Sequence, residues 1–541
     1  MTGNMLVTAT PPTPNGELHL GHLSGPYLAA DVFARHQNQL GTTVAHLTGI
    51  DDHQSYTEAR AVRDGTTAAH VADLYGERIA RAWSDSGIRL DAVGRPRAMP
   101  LHRELTRRIF AELHERGDIV ARTRPLPYCV PCDRWTYEAY VAGACPHCAS
   151  QSGGNSCESC GKSNDCADLV DPRCTICGTP CEIRSCERLY MPLERHRAAL
   201  ERFWGETSMN GHLTALCQSL SADGLPEIAV THPADWGIEA PVEGFTEQRI
   251  YVWFEMAAGY LACAAELGDW RAWWTGDAQV VQFFGYDNGF FHAVLFPAIF
   301  SAWNPAITLP KALVSNEFYR LDGLKFSTSR KHAIWLLDAL ERTPADHLRL
   351  FLCWDRPAAA QTSFTQESFD SFLHGDLLPR WHGWLTGLAR RAATAGAAPA
   401  DPTGSEPEPA AAAHLRARTR QLLELAGEAY ALPGFSPRSA ISLLDLLVRE
   451  AAEAGQDSDH QSGVPGLKDA HAQSVSAQLS AAAALAVGLH PVAPAMAQQL
   501  WAALRLPGDV ADVPWERALG GIDVPAGAGD LDTGCALFAP R

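Results

Sequence analysis

The chain has 541 residues, 46% of them hydrophobic, and a formal net charge of -18. This is enough apolar material for several packed units, and no run reaches the roughly 18 uninterrupted apolar residues of a membrane span. The acidic balance excludes indiscriminate nucleic-acid binding but leaves room for a local basic patch. The opening residues lack a basic segment followed by an apolar one, so the expectation is a cytoplasmic protein with no membrane partner.

Residues 6–22, LVTATPPTPNGELHLGH, run from an apolar strand through a Pro/Asn/Gly turn into His19-Leu20-Gly21-His22. The apolar spacing beyond them predicts a helix over 24–37. A turn between a strand end and a helix start offers free backbone N–H groups to an anion. Gly21 lets a base or ribose approach the backbone, and His19 and His22 can donate to phosphoryl oxygens. Residues 44–50 read as a second buried strand ending in Asp51-Asp52-His53, and helices are predicted over 56–85 and 101–116.

Four CxxC pairs follow within fifty residues: Cys129/Cys132, Cys145/Cys148, Cys157/Cys160 and Cys174/Cys177. Their spacing, mostly beside glycine, is that of tetrahedral zinc knuckles rather than disulfides. A strand is predicted over 249–254 and a helix over 255–267. A strand over 280–284 then runs into Gly285-Tyr286-Asp287-Asn288 and a helix through His292. Only five lysines occur in the chain, and Lys311, Lys325 and Lys331 cluster around Lys325-Phe326-Ser327-Thr328-Ser329, where compact ammonium groups suit closure on a triphosphate. Helical runs are predicted at 375–394, 409–431, 436–454 and 472–489. Two breaker-rich stretches, 395–413 and 455–466, interrupt them.

His19-Leu20-Gly21-His22 and 325–329 resemble the HIGH and KMSKS signatures of class I aminoacyl-tRNA synthetases, and the surrounding text is similar to the methionyl-tRNA synthetase family. The resemblance implies an α/β fold: a Rossmann-type parallel sheet with a zinc-knuckle insertion and a C-terminal α-helical bundle. The implied units are a first catalytic half at 1–116, an insertion at 117–235, a second catalytic half at 236–320, a signature-loop region at 321–372 and an anticodon-binding-like bundle at 373–541. It further implies ATP-dependent activation of an amino acid, with Mg2+ on the phosphates and two structural Zn2+ ions. Cys145, Cys148, Cys157 and Cys160 would hold an inner zinc, and Cys129, Cys132, Cys174 and Cys177 an outer one. His19, His22 and Lys325 are the implied catalytic residues. Gly21, Gly285, Asp287, Lys325, Ser327, Ser329 and Lys331 would contact ATP. Pro11, Thr13, Asp51, Trp253, Met256, Tyr260, Asn288 and His292 would surround the amino acid, with Asp51 on its ammonium group.

The chain departs from that family in telling places. Pro11, Pro12 and Thr13 stand where Leu-Pro-Tyr is usual, Met256 replaces an alanine, and Asn288 replaces an apolar residue. These changes shrink and polarise a pocket built for a thioether, and an unpaired buried amide would add a further penalty. Thr328 replaces the second signature lysine, which Lys331 could supply, and Gln54 replaces a glycine. In the bundle, Gly383 and Gly387 align with the Asn and Arg that read the anticodon, and no Trp occurs between Trp384 and Trp501 to stack on it. The expectation is therefore an adenylating enzyme with a small-molecule acceptor, tRNA being doubtful. Enzymes of this look occur in hydrazine-forming pathways, where an amino acid is esterified onto an N-hydroxylated amine and a cupin, here a separate partner, rearranges the ester. The alternative is methionine–tRNA ligation.

Overall fold

Six parallel strands form the central sheet: β1 (Met5–Ala9), β2 (Val44–Gly49), β3 (Ala92–Gly94), β4 (Ser208–Met209), β5 (Gln279–Gly285) and β6 (Ala312–Asn316), in the order β4-β6-β5-β1-β2-β3. The computed structural model describes residues 4–326, 332–395, 408–462, 467–525, 531 and 535–539. β1 is buried throughout, as a parallel strand covered on both faces must be. Strand order reverses beside it, because β2 and β3 lie on one side and β5, β6 and β4 on the other. A parallel sheet opens its ligand crevice at the carboxyl ends of the strands where the order reverses.

Helix α1 (Leu28–Gln39) covers one face, packing Leu28, Val32 and Phe33 with Val7 and Phe283. The same core continues into the C-terminal helices through Leu423, Leu444, Leu485 and Trp501. The bundle thus shares its apolar interior with the sheet. Helix α2 (Val252–Ala264) covers the other face, with Phe254, Leu261 and Phe296 in a second core. Between β3 and β4 the chain leaves the sheet and forms a four-stranded antiparallel sheet whose two long strands, Val120–Cys129 and Glu182–Pro192, pair side by side and lead to the paired cysteines.

Several elements differ from the sequence expectation. The predicted helix over 24–37 begins with a wide-turn segment, Leu23–Tyr27, bent around Pro26, before α1 proper. The stretch 56–85 is two helices, Ser55–Asp64 and Ala68–Asp85, parted at left-handed Gly65. The expected strand over 249–254 is only Arg249–Ile250, and Trp253 and Phe254 belong to α2. An all-round apolar run buried on every side carries no period with which to tell strand from helix.

The C-terminal helices are α3 (Leu378–Ala395), α4 (Ala410–Tyr430), α5 (Pro437–Ser462) and α6 (Lys468–Leu489), and a further one at Pro494–Ala503 was not anticipated. Helix α5 continues to Ser462, well into the polar stretch expected to break it, and 463–466 lie outside the described residues. The Ser458 hydroxyl bonds the His471 ring at 2.8 Å and Arg391 pairs with Asp459 at 3.3 Å, which ties that end to α6 and α3. The other breaker-rich stretch lies mostly outside the described residues, but 410–413 are helical. Helix α6 is long and apolar enough to cross a membrane, and 78% of its most apolar window is buried within the bundle.

Candidate active site

The turn after β1 and the turn after β5 meet at the reversal point, where the Thr10 N–H donates to the Phe283 carbonyl at 2.9 Å. His19 lies just before a single helical turn, Leu20–His22. Its backbone N–H donates to His22 Nδ1 at 3.1 Å, so Nδ1 is an acceptor and the ring proton of His22 sits on Nε2. Burial lowers the His22 pKa to about 4 and pushes that of His19 well below its usual range, with His22 and Lys325 adding to the effect. Both rings are neutral hydrogen-bond donors at physiological pH.

The two imidazoles stack at 3.8 Å between centroids, and Phe326 stacks on His19 at 4.5 Å and 10°. Gly21 makes this possible, because a Cβ there would sit 3.0 Å from the His19 ring and 3.2 Å from Phe326. Lys325 forms an ion pair with Glu158, a residue between the CxxC cysteines Cys157 and Cys160. Ser327, Thr328, Ser329 and Lys331 lie outside the described residues.

At the end of β5, a Cβ on Gly285 would fall 2.5 Å from Asp287 Oδ1, so the glycine lets that carboxylate fold back over the strand end. Burial raises the Asp287 pKa to about 6, Glu158 adding to the rise and Lys325 opposing it. The Asn288 amide donates to Asp287 Oδ1 at 3.2 Å. The expected unpaired amide is therefore paired, which corrects that part of the pocket argument.

Beyond β2, Asp51 lines a cavity of about 30 Å³ with Pro11, Gly49, Glu255, Met256 and Tyr260 among its walls. That is space for one or two waters. Burial, reinforced by Glu255 and Glu138, lifts the Asp51 pKa well above the usual carboxylate range, so the site favours a cation beside it. Thr13, Trp253, Asn288 and His292 are not among the cavity walls. Trp253 stacks on Phe291 at 3.7 Å, and His292 is buried behind Tyr260, with ring centroids 6.0 Å apart.

Sequence reasoning missed the support beneath this cavity. Glu255 Oε1 accepts from His53 at 2.7 Å and His102 at 2.8 Å. Burial alone would raise the Glu255 pKa, but the two imidazoles outweigh it and hold the group at about 2. No motif links residues 53, 102 and 255, since only packing of α2 on β2 and on the helix Pro100–Glu115, which carries His102, brings them together.

The cysteines form two clusters: Cys129, Cys132, Cys174 and Cys177, and Cys145, Cys148, Cys157 and Cys160, the sulfurs of each lying within 4.8 Å of one another. The nearest approaches are 3.4 and 3.9 Å in the first cluster and 3.6 and 3.9 Å in the second. A tetrahedral ion with bonds of about 2.3 Å places its sulfurs roughly 3.8 Å apart, whereas a disulfide needs about 2.05 Å. Both thiolate sets fit a four-coordinate soft cation.

Residues 5–388 match the family model described as tRNA synthetases class I (M). The chain belongs to this family. A methionine–tRNA ligase from Porphyromonas gingivalis is 35% identical over 381 residues, 69% of this chain and 56% of the relative. One from Dehalococcoides mccartyi is 34% identical over 379 residues, 68% of each. The chain thus spans little more than half the length of the first of these relatives. Its fold resembles that of Mycobacterium tuberculosis methionyl-tRNA synthetase in complex with methionyl-adenylate, with a TM-score of 0.78 at 20% identity, covering 97% of this chain and 98% of the other. In the free state of that enzyme the TM-score is 0.73.

The family match ends within α3, and the helices beyond it carry their own pattern. Gly383 faces open space, and Gly387 lies against the Arg391 guanidinium. Arg380 pairs with Asp376 and Asp445, Arg449 with Asp445, Arg418 with Glu450, and Arg416 with Glu408. These cations are neutralised by neighbouring carboxylates.

Proposed function

We propose that the chain activates an amino acid smaller than methionine as its adenylate and passes the acyl group to a small-molecule hydroxyl or amine rather than to tRNA. The substrate carboxylate attacks the α-phosphorus of ATP, and pyrophosphate leaves. His19 and His22 hydrogen-bond the crowded phosphoryl oxygens, Lys325 draws the leaving pyrophosphate, Asp287 and Gly285 seat the ribose, and Asp51 holds the ammonium group. Mg2+ brought in with the triphosphate shares its negative charge. Zn2+ in the two four-cysteine clusters would hold the knuckles folded, with all four positions filled and none open to substrate. Metal analysis is expected to find two zinc ions per chain, falling to one in Cys174→Ser as the outer set loses a ligand.

The observation that supports the acceptor reading is in the bundle: Gly383 and Gly387, which the family resemblance sets at the reader positions, carry no side chain, and five arginines nearby are engaged by carboxylates or amides of the chain itself. Stacking and bidentate base contacts are worth about 1–3 kcal/mol each, and neither the two glycines nor these five engaged arginines supply one. An N-hydroxylated amine is a fitting acceptor, since its hydroxyl is more nucleophilic than an ordinary alcohol, and a separate cupin-type enzyme would act on the ester. A reducing, cytoplasmic setting suits the two thiolate clusters. The second reading, methionine–tRNA ligation, is favoured by the names of the relatives. ATP–pyrophosphate exchange across the amino acids, followed by acylation of a methionine tRNA transcript or of N-hydroxylysine, separates the two. Exchange with a small amino acid and an acylated hydroxylamine are expected. Methionine-dependent exchange with a charged transcript would establish the second reading instead.

A further inference from the structure

The inner four-cysteine knuckle meets the rest of the molecule through one tight turn, residues 157–162. The Cys157 N–H donates to the Lys162 carbonyl at 3.0 Å and the Gly161 N–H to the Cys157 carbonyl at 2.8 Å. The turn carries two of the four inner sulfurs, those of Cys157 and Cys160. Three of its side-chain positions make outward contacts. Glu158 pairs with Lys325, Lys162 Nζ lies 2.7 Å from Asp223 Oδ2, and Gly161 lies against Tyr286. Gly161 has a left-handed φ of 72°, and a Cβ on it would sit 3.0 Å from the Tyr286 hydroxyl oxygen and 3.1 Å from Leu216 Cδ2. Glycine alone suits both the backbone and the close approach.

Tyr286 stands between Gly285 and Asp287, in the turn after β5 that the adenylation reading assigns to the ribose, and it is 4% exposed. Its ring stacks on His212 at 3.6 Å and 12°, and His212 Nδ1 meets Glu317 Oε1, just beyond β6, at 2.6 Å. The helix Gly211–Asp223 thus supplies His212 to the tyrosine, Leu216 to the glycine and Asp223 to Lys162. The tyrosine is wedged between this helix and the knuckle turn, and its backbone is continuous with both residues proposed to seat the ribose. A unit as small as the knuckle draws its folding free energy from the metal it binds. Loading the inner set therefore holds Gly161 against Tyr286, and emptying it lets both go.

We infer that Tyr286 is a positioning residue that docks the inner knuckle on the ribose turn, so that metal loading of Cys145, Cys148, Cys157 and Cys160 and binding of a nucleoside strengthen each other. This rests on the adenylation reading above. Such a coupling is reciprocal, so it can be read from the metal rather than from activity. The test is the zinc affinity of the full chain, measured by equilibrium competition with a chelator, with and without saturating adenosine. Adenosine has no phosphate to draw Lys325 off Glu158, so it reads the Tyr286 contact alone. The inner zinc is expected to bind about fivefold tighter or more with adenosine present, and the outer zinc to be unchanged. Cys174→Ser, which keeps only the inner ion, identifies which is which. Tyr286→Leu is expected to hold two zinc ions per chain and lose the adenosine effect. Calorimetry of adenosine on the unaltered chain completes the set. Adenosine that binds without changing the inner zinc affinity, or an effect that survives Tyr286→Leu, overturns the inference while leaving adenylation standing. Adenosine that does not bind at all overturns both.

Discussion

Lys325→Met is expected to lower ATP–pyrophosphate exchange by about 10²–10³-fold, the loss seen when one preorganised donor to a developing charge is removed. The fold should be untouched. The Lys325 side chain is 53% exposed on a two-residue strand, and its ammonium group lies 5.1 Å over the Phe318 ring rather than in a core. Its charge nevertheless reaches the site, adding to the burial-driven fall in the His19 pKa and opposing the burial-driven rise in that of Asp287. The measurement is exchange at saturating ATP alongside a thermal melt, and full activity at an unchanged Tm would contradict the assigned role. The same lysine explains a smaller effect in the other direction. Glu158 holds it from the knuckle, and a half-exposed pair of this kind contributes at most about 1 kcal/mol. Glu158→Gln should therefore lower the KM for ATP by up to about fivefold, and no more, because the triphosphate no longer competes with a carboxylate.

What could be read in advance, and what could not, divides along chain distance. The CxxC pairs announce their clusters because the ligand spacing is local, and HLGH announces a strand-turn-helix because the strand, the breakers and the helix adjoin. Trp253 and Phe254 were misread as strand because α2 is apolar on nearly every face, which erases the helical period. Helix α5 outlasts its polar sequence because contacts supplied by α3 and α6, through Arg391 and His471, override local propensity. Glu158 and Lys325 meet across 167 residues, and Glu255 collects His53 and His102 from two other elements.

Asp31→Ala is expected to destabilise the chain by about 3–5 kcal/mol, the cost of leaving a buried cation without its partner. Arg349 is fully buried and donates to Asp31 Oδ2 at 2.6 Å. It also donates to the carbonyls of Ser86, Gly87, Pro491 and Val492. One guanidinium thus joins α1, the loop after the helix Ala68–Asp85, and the turn that follows α6. Burial alone would raise the Asp31 pKa, but Arg35, Arg349 and the Arg89 N–H outweigh it and hold the carboxyl well below its usual range. A carboxylate depressed in the folded state contributes stability above its unfolded pKa of about 4 and loses it as the pH falls toward the folded value. Urea melts should therefore show the deficit of Asp31→Ala in full at pH 7 and shrinking below about pH 4. Pairing Asp31→Leu with Arg349→Met should recover part of the loss, since an apolar pair of similar volume leaves no buried guanidinium to solvate, although the four carbonyls lose their donor. If the double variant were no more stable than Asp31→Ala, the ion pair would not be the cause. The site gives an independent reading, because α1 continues directly from the His19–His22 turn through Leu23–Tyr27. Loosening Arg349 frees the helix that positions both imidazoles, so exchange should fall in Asp31→Ala before the chain unfolds.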